Sequence, residues 1–155
     1  MDLNQREAVY RSAVGDYTGG RQSQAAAKFL RLVKDGSNDP RHLSFCGLLK
    51  ATLNGKVEEG LTLCERALDL GFTDPWIHLN LARVHCAAGR VSRAVEVLRK
   101  GIRMLPGHQG LLREIQRLSP RNKPPLGFLD REHVFNKYLG TVLLRRRSQQ
   151  RPPAA

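Results

Sequence analysis

Residues 88–102 read AGRVSRAVEVLRKGI, and residues 54–68 read NGKVEEGLTLCERAL, the same pattern 34 positions earlier. Each stretch carries a glycine, a basic residue, a valine and then apolar residues in matching places. A unit this short cannot bury its own apolar face, so a chain that repeats it must stack one unit on the next. In the later copy Val91, Ala94, Val95, Leu98 and Ile102 fall at helical spacing, and Arg90, Arg93, Lys100 and Arg103 lie elsewhere around the helix. This predicts an amphipathic helix opened by a glycine turn. Val57, Gly60, Leu61, Cys64 and Leu68 form the same face in the earlier copy. A weaker third copy, GRQSQAAAKFLRLV at 20–33, puts Ala25 where Ala94 sits and Phe29 where Leu98 sits.

Another helical stretch precedes each of the two stronger copies. Asp39-Pro40 opens RHLSFCGLLKATL and Asp74-Pro75 opens WIHLNLARVHCAA. Asp is a good N-cap and Pro a good first helical residue, so both pairs predict helix starts. The unit is helix–turn–helix. The Asp-Pro pairs stand 35 apart and the second helices 34, which leaves the first helix of the middle unit free to shift by one residue.

These residues resemble the tetratricopeptide repeats, whose pattern is a large residue, then Leu-Gly, then Tyr, later Ala and Phe, and finally Pro. The best copy gives His78, Leu81-Ala82, His85, Ala94, Leu98 and Pro106; the middle one gives Leu43, Cys46-Gly47, Lys50, Gly60, Cys64 and Ala67. The first copy keeps Ala13, Ala25 and Phe29, so the resemblance covers roughly residues 5–107. It implies an all-α fold of about three helix–turn–helix repeats in a right-handed superhelix. HQGLLREIQRL at 108–118 reads as a capping helix, with Leu111, Leu112, Ile115 and Leu118 inward and Arg113, Glu114, Gln116 and Arg117 outward. Ser119-Pro120 ends it.

Residues 1–119 are therefore read as the repeat domain and its cap, and 120–127 as a proline-rich linker. An amphipathic helix is expected over 128–147, with Val134, Phe135, Tyr138, Leu139, Val142 and Leu143 on one face and Arg145, Arg146 and Arg147 at its C-terminal end. The tail at 148–155 reads as disordered. This basic extension is similar to those of small bacterial repeat proteins. Its helix has three candidate homes: the domain itself, a second copy or partner chain, and an anionic membrane surface.

The net charge of +12 is unevenly placed. Residues 1–75 carry ten Lys/Arg and ten Asp/Glu, whereas residues 76–155 carry sixteen against four. A basic half suits an acidic protein, a nucleic acid or an anionic bilayer, and equally a solvated face that aids solubility. No stretch approaches the roughly 20 apolar residues of a membrane span, and no secretory leader is read at the start. Cys46, Cys64 and Cys86 are an odd number at wide spacing, which fits reduced thiols in a cytoplasmic setting, with the inner face of the membrane as a peripheral location.

Little here points to catalysis. His78 and His85 share a helix face beside Cys86, but no short ligand pair completes a metal site, and both histidines stand where the family places packing residues. Cys46 and Cys64 sit where apolar residues belong. There is no phosphate-cradling glycine loop, nucleophile elbow or paired-carboxylate motif. No enzyme activity, cofactor, catalytic residue or metal is expected.

The resemblance instead implies a concave groove lined by the first helix of each unit, and assigns to it Trp76, Leu79, Asn80, Arg83 and Cys86. Asn can hydrogen-bond both groups of a peptide backbone, Arg can hold a carboxylate by two bonds, and Trp supplies contact area. Trp76 and Leu79 can also simply pack against the preceding unit. Chaperone-binding members of the family use a clamp of Lys, Arg and Asn spread over three units; Arg41, Ser44 and Phe45 in the middle unit do not reproduce it. The expected function is a non-catalytic adaptor or scaffold that binds a peptide or partner protein, with a homo-oligomer through the C-terminal helix as a further association. The alternative is polyanion binding, to RNA or an anionic membrane, through Arg90, Arg93, Lys100, Arg103 and Arg145, Arg146 and Arg147. RNA-reading helical repeats need a regular base-reading set in each unit, and none is seen.

Overall fold

The computed structural model describes residues 1–118, and those residues are entirely helix and turn. The helices are α1 (Leu3–Thr18), α2 (Gln22–Lys34), α3 (Pro40–Asn54), α4 (Val57–Leu70), α5 (Pro75–Ala87), α6 (Val91–Met104) and α7 (Gln109–Leu118). They form three antiparallel pairs followed by a capping helix. The linker, amphipathic helix and tail expected over 120–155 lie outside the described residues.

Local chemistry sets the helix starts. The carboxylates of Asp39 and Asp74 accept from the backbone N–H groups of Arg41 and Trp76, at 2.9 and 2.8 Å, with proline as the next residue in both. Each pair turns on a glycine with positive φ, Gly20 at 79°, Gly55 at 67° and Gly89 at 72°, where any other residue would be strained.

The one-residue ambiguity of the middle unit resolves at the end of α3. That helix has 15 residues and α5 has 13. Asp39 to Gly47 matches Asp74 to Ala82 in length, so the first turns are in register and the added residue follows Gly47. The turn widens to hold it. Lys56 N reaches back six residues to Lys50 O, whereas Arg21 N and Arg90 N reach back five, to Asp16 O and His85 O.

Repeat positions carry the core. Ala25 and Ala94, and Phe29, Cys64 and Leu98, are fully buried at the places the periodicity assigns them. Val91 departs from its expected apolar face, being 45% exposed at the first position of α6. Four buried clusters run along the stack, the smallest being Leu43, Ala67 and Ile77 of α3, α4 and α5. Tyr10, Phe29, Phe45 and Leu49 join α1, α2 and α3; Leu48, Leu61, Leu81 and Val84 join α3, α4 and α5; Leu79, Ala82, Leu98 and Leu111 join α5, α6 and α7.

His42 is buried on α3 with its Nδ1 2.8 Å from Ser37 Oγ and its Nε2 unpartnered. Burial holds the imidazole below its ordinary range. The unfolded chain therefore takes a proton below about pH 6.5 that the folded chain refuses. Stability should be level above that pH and fall as pH drops below it. The urea midpoint should decrease between pH 7.5 and about 5.5, and His42→Gln should flatten part of that slope. An unchanged slope would remove His42 from the account.

Candidate functional site

The first helices of the three pairs and α7 share one face, and two hollows open there. The larger, about 630 Å³, lies between α5 and the start of α7 and is lined by Trp76, Leu79, Arg83, His108, Arg113 and Glu114. The smaller, about 350 Å³, is lined by Tyr17, Leu48, Thr52, Arg83, Glu114 and Arg117. Arg83 and Glu114 border both, so this pair stands as the wall between them.

Arg83 is held from two sides. One guanidinium nitrogen donates to Tyr17 Oη at 2.9 Å, a bond from the third unit back to the first. The other lies 3.6 Å from Glu114 Oε2. Glu114, expected to point outward from α7, points inward instead, with its side chain only 11% exposed. Arg117 turns back over it and donates from Nε and Nη2 to Oε1, at 3.1 and 2.6 Å. The physical reason is charge pairing. A carboxylate on the inner edge of α7 gains two guanidinium partners that it would lack facing water.

The other residues read from sequence divide. Trp76 is half-buried, packs against both the first and third core clusters, and places its ring 5.4 Å from that of Phe45. Leu79 is buried against Leu98 and Leu111 while still lining the larger hollow. Asn80 is fully buried between α3 and α5; its Nδ2 donates to Ser44 Oγ at 3.2 Å, and its Oδ1 has no partner. It therefore offers nothing to an occupant of the hollows. Cys86 is half-buried against the third cluster and lines neither hollow.

Residues the sequence reading missed include Tyr17, Leu48 and Thr52. A signal for two of them existed. Leu48 stands 35 residues before Arg83, and Tyr17 follows Ala13 by four as Cys86 follows Ala82. The contribution of α7 had no such signal, because that helix falls outside the repeat pattern.

On the basic face, Arg90 pairs with Glu58 at 2.7 Å and Arg93 with Glu96 at 3.0 Å, while Lys100 and Arg103 are exposed. Arg145, Arg146 and Arg147 lie outside the described residues. His78 is fully buried and donates from Nε2 to the Phe72 carbonyl at 2.7 Å. Among the described residues, no cluster of three or more His, Cys, Asp or Glu could hold a metal ion. Burial pushes the thiols of Cys46, Cys64 and Cys86 up, which keeps them protonated and poorly nucleophilic. None of the described helices is long and apolar enough to cross a membrane.

Residues 51–118 match the tetratricopeptide repeat family model. No curated protein matches the chain. Among solved structures, the chain is similar to TTC0263, a thermophilic repeat protein of Thermus thermophilus, at a TM-score of 0.64 and 20% identity over 73% of this chain and 63% of that one. It is also similar to the first repeat domain of Spaghetti (RPAP3) bound to an HSP90 peptide, at 0.62 and 11% identity over 76% and 95% of the two chains. A third likeness is to PcrH in complex with the chaperone-binding region of PopB, at 0.61 and 18% identity over 77% and 98%. At these identities the likeness is one of fold.

Proposed function

We propose that this tetratricopeptide-repeat chain is a non-catalytic protein-interaction module that takes a peptide or a segment of a partner protein along the inner face of its first helices. One observation carries the reading. A half-buried tryptophan and a half-buried arginine, Trp76 and Arg83, border the same 630 Å³ hollow, an apolar anchor beside a charged one. The likeness to Spaghetti and PcrH supports it, since both those structures hold a partner segment. Asn80 has no part in recognition here; its buried bond to Ser44 fixes how α5 lies on α3.

Peptides selected from a random display library on the wild-type domain test the assignment. Trp76→Ala and Arg83→Glu should each weaken binding of those peptides by about tenfold or more, the usual effect of removing a central anchor. The triple change Arg99→Glu, Lys100→Glu, Arg103→Glu on the exposed side of α6 should leave it unchanged. The reverse pattern, with binding that collapses between about 50 and 200 mM salt, would transfer the function to the basic face and to a polyanion. Arg90 and Arg93 are already neutralised by Glu58 and Glu96, which leaves that face fewer free charges than the sequence suggests.

A further inference from the structure

The pair that walls off the two hollows has the form of an occupied binding site. Resting on the reading of the inner face as the binding surface, we infer that Glu114 is an internal stand-in for a partner's carboxylate. The partner segment would then be acidic next to an apolar side chain, and Glu114 would set the affinity by competing with it.

Three features of the geometry lead there. First, Glu114 holds Arg83 and Arg117 unequally. The bond from Arg117 Nη2 is 2.6 Å, whereas Arg83 stands off at 3.6 Å, beyond the roughly 2.7–2.9 Å of a charge-assisted hydrogen bond. The guanidinium of Arg83 keeps its full bond to Tyr17 Oη but lacks a close partner on its other edge. An incoming carboxylate can supply that bond while Glu114 remains on Arg117. Second, the larger hollow sets two guanidinium groups, Arg83 and Arg113, against one acid, Glu114, with Trp76 and Leu79 as its apolar wall. The unmatched charge favours an anion there, and the apolar wall favours a hydrophobic neighbour to it. Third, both hollows touch Arg83 and Glu114, so a shift of the Glu114 carboxylate toward Arg117 joins them into one channel. An extended segment could then run from Trp76 past Arg83 toward Tyr17.

The exchange is modest in energy. A partly exposed ion pair contributes little, so one carboxylate replaces another at Arg83 with a small net change. Negative charge on Glu114 still opposes the newcomer. Removing that charge without changing the shape should therefore favour acidic occupants selectively.

Two fluorescein-labelled octapeptides test this, one alternating leucine with glutamate and one alternating leucine with glutamine, titrated by anisotropy at about 0.15 M salt. Glu114→Gln should bind the glutamate peptide about fivefold to tenfold more tightly than wild type does. The glutamine peptide should show no comparable gain. Arg83→Gln should abolish the preference for the glutamate peptide in either background, with matching far-ultraviolet circular dichroism confirming that both variants fold. Equal gains for both peptides would mean that Glu114 only fills space, and the exchange would be wrong while the binding face stood. Failure of every variant to prefer the glutamate peptide would also overturn it. The display-selected peptides would still judge the binding face, through Trp76 and Arg83, whatever their charge.

Discussion

Truncating Phe45 to alanine should destabilise the domain by about 3–5 kcal/mol, the cost of deleting a fully buried aromatic side chain together with the cavity left behind. Phe45 is the point at which helices from all three units meet. Its ring stacks on Phe29 of α2 at 4.8 Å and 4°. The edges of Tyr10 and Tyr17, both on α1, meet it at 6.5 and 5.3 Å. Trp76 of α5 lies 5.4 Å away. Each aromatic pair adds to the burial term, by about 0.5–1.5 kcal/mol where it has been measured. A domain of this size has only about 5–15 kcal/mol in all, so the variant should sit near the edge of folding. The chain's single tryptophan, Trp76, reports on it directly, because its emission should shift as Phe45 is removed from beside it. Leu53→Ala, at a site 40% exposed at the end of α3, is the control and should cost under about 1 kcal/mol. A Phe45→Ala loss as small as the control's would mean that the units do not meet through this ring.

The aromatic junction also marks the limit of what periodicity can reveal. Repeat spacing places Ala25, Phe29, Ala94 and Leu98 inside, because burial of a helix face depends only on 3.6-residue geometry. It cannot show how far a polar residue near the edge of that face is rotated inward. Asn80 is polar and stands where the family resemblance puts a residue of the binding surface. The small Ser44 opposite it on α3 instead leaves room for a buried hydrogen bond. Asp16 shows the same limit. It is nearly buried at the end of α1, where the helix dipole disfavours an anion. Arg21, just before α2, and Lys28 on α2 surround it and hold the carboxyl below its ordinary range, with the Lys28 hydrogen bond first among the causes. Glu114 is the same failure at the candidate site. Its inward turn depends on Arg83, more than thirty residues away, and on an α7 that no repeat describes. The fold was legible because it follows from local spacing. The ion pairs that shape the site were not, because each needs two segments already in place.

Alanine in place of glycine should have opposite effects at two helical positions, and the contrast tests the packing of the middle unit. At Gly15 on α1 nothing lies within 4 Å of an added methyl group. Gly15→Ala should therefore stabilise by about 0.5–1 kcal/mol, the backbone entropy that glycine costs inside a helix. At Gly47 the same methyl would stand 2.6 Å from the Gly60 carbonyl oxygen, 2.7 Å from Cys64 Sγ and 3.1 Å from Leu63 Cβ. The first of these is backbone and cannot turn aside, so α3 and α4 must separate. Overpacking of this kind typically costs about 1–3 kcal/mol, and it has first to offset the helix-propensity gain. A net loss of about 1 kcal/mol in urea unfolding is expected. The neighbouring pair makes the point structurally, for α5 and α6 carry Ala82 and Ala94 at the positions of Gly47 and Gly60. Methyl groups are thus tolerated at this crossing only where the two helices are spaced to receive them. Because α3 also carries Leu48 and Thr52 into the smaller hollow, a displaced α3 should weaken peptide binding beyond what lost stability explains. If Gly47→Ala were as stable as Gly15→Ala, the close approach of α3 and α4 would not exist in solution, and the inner face built on it would have a different shape.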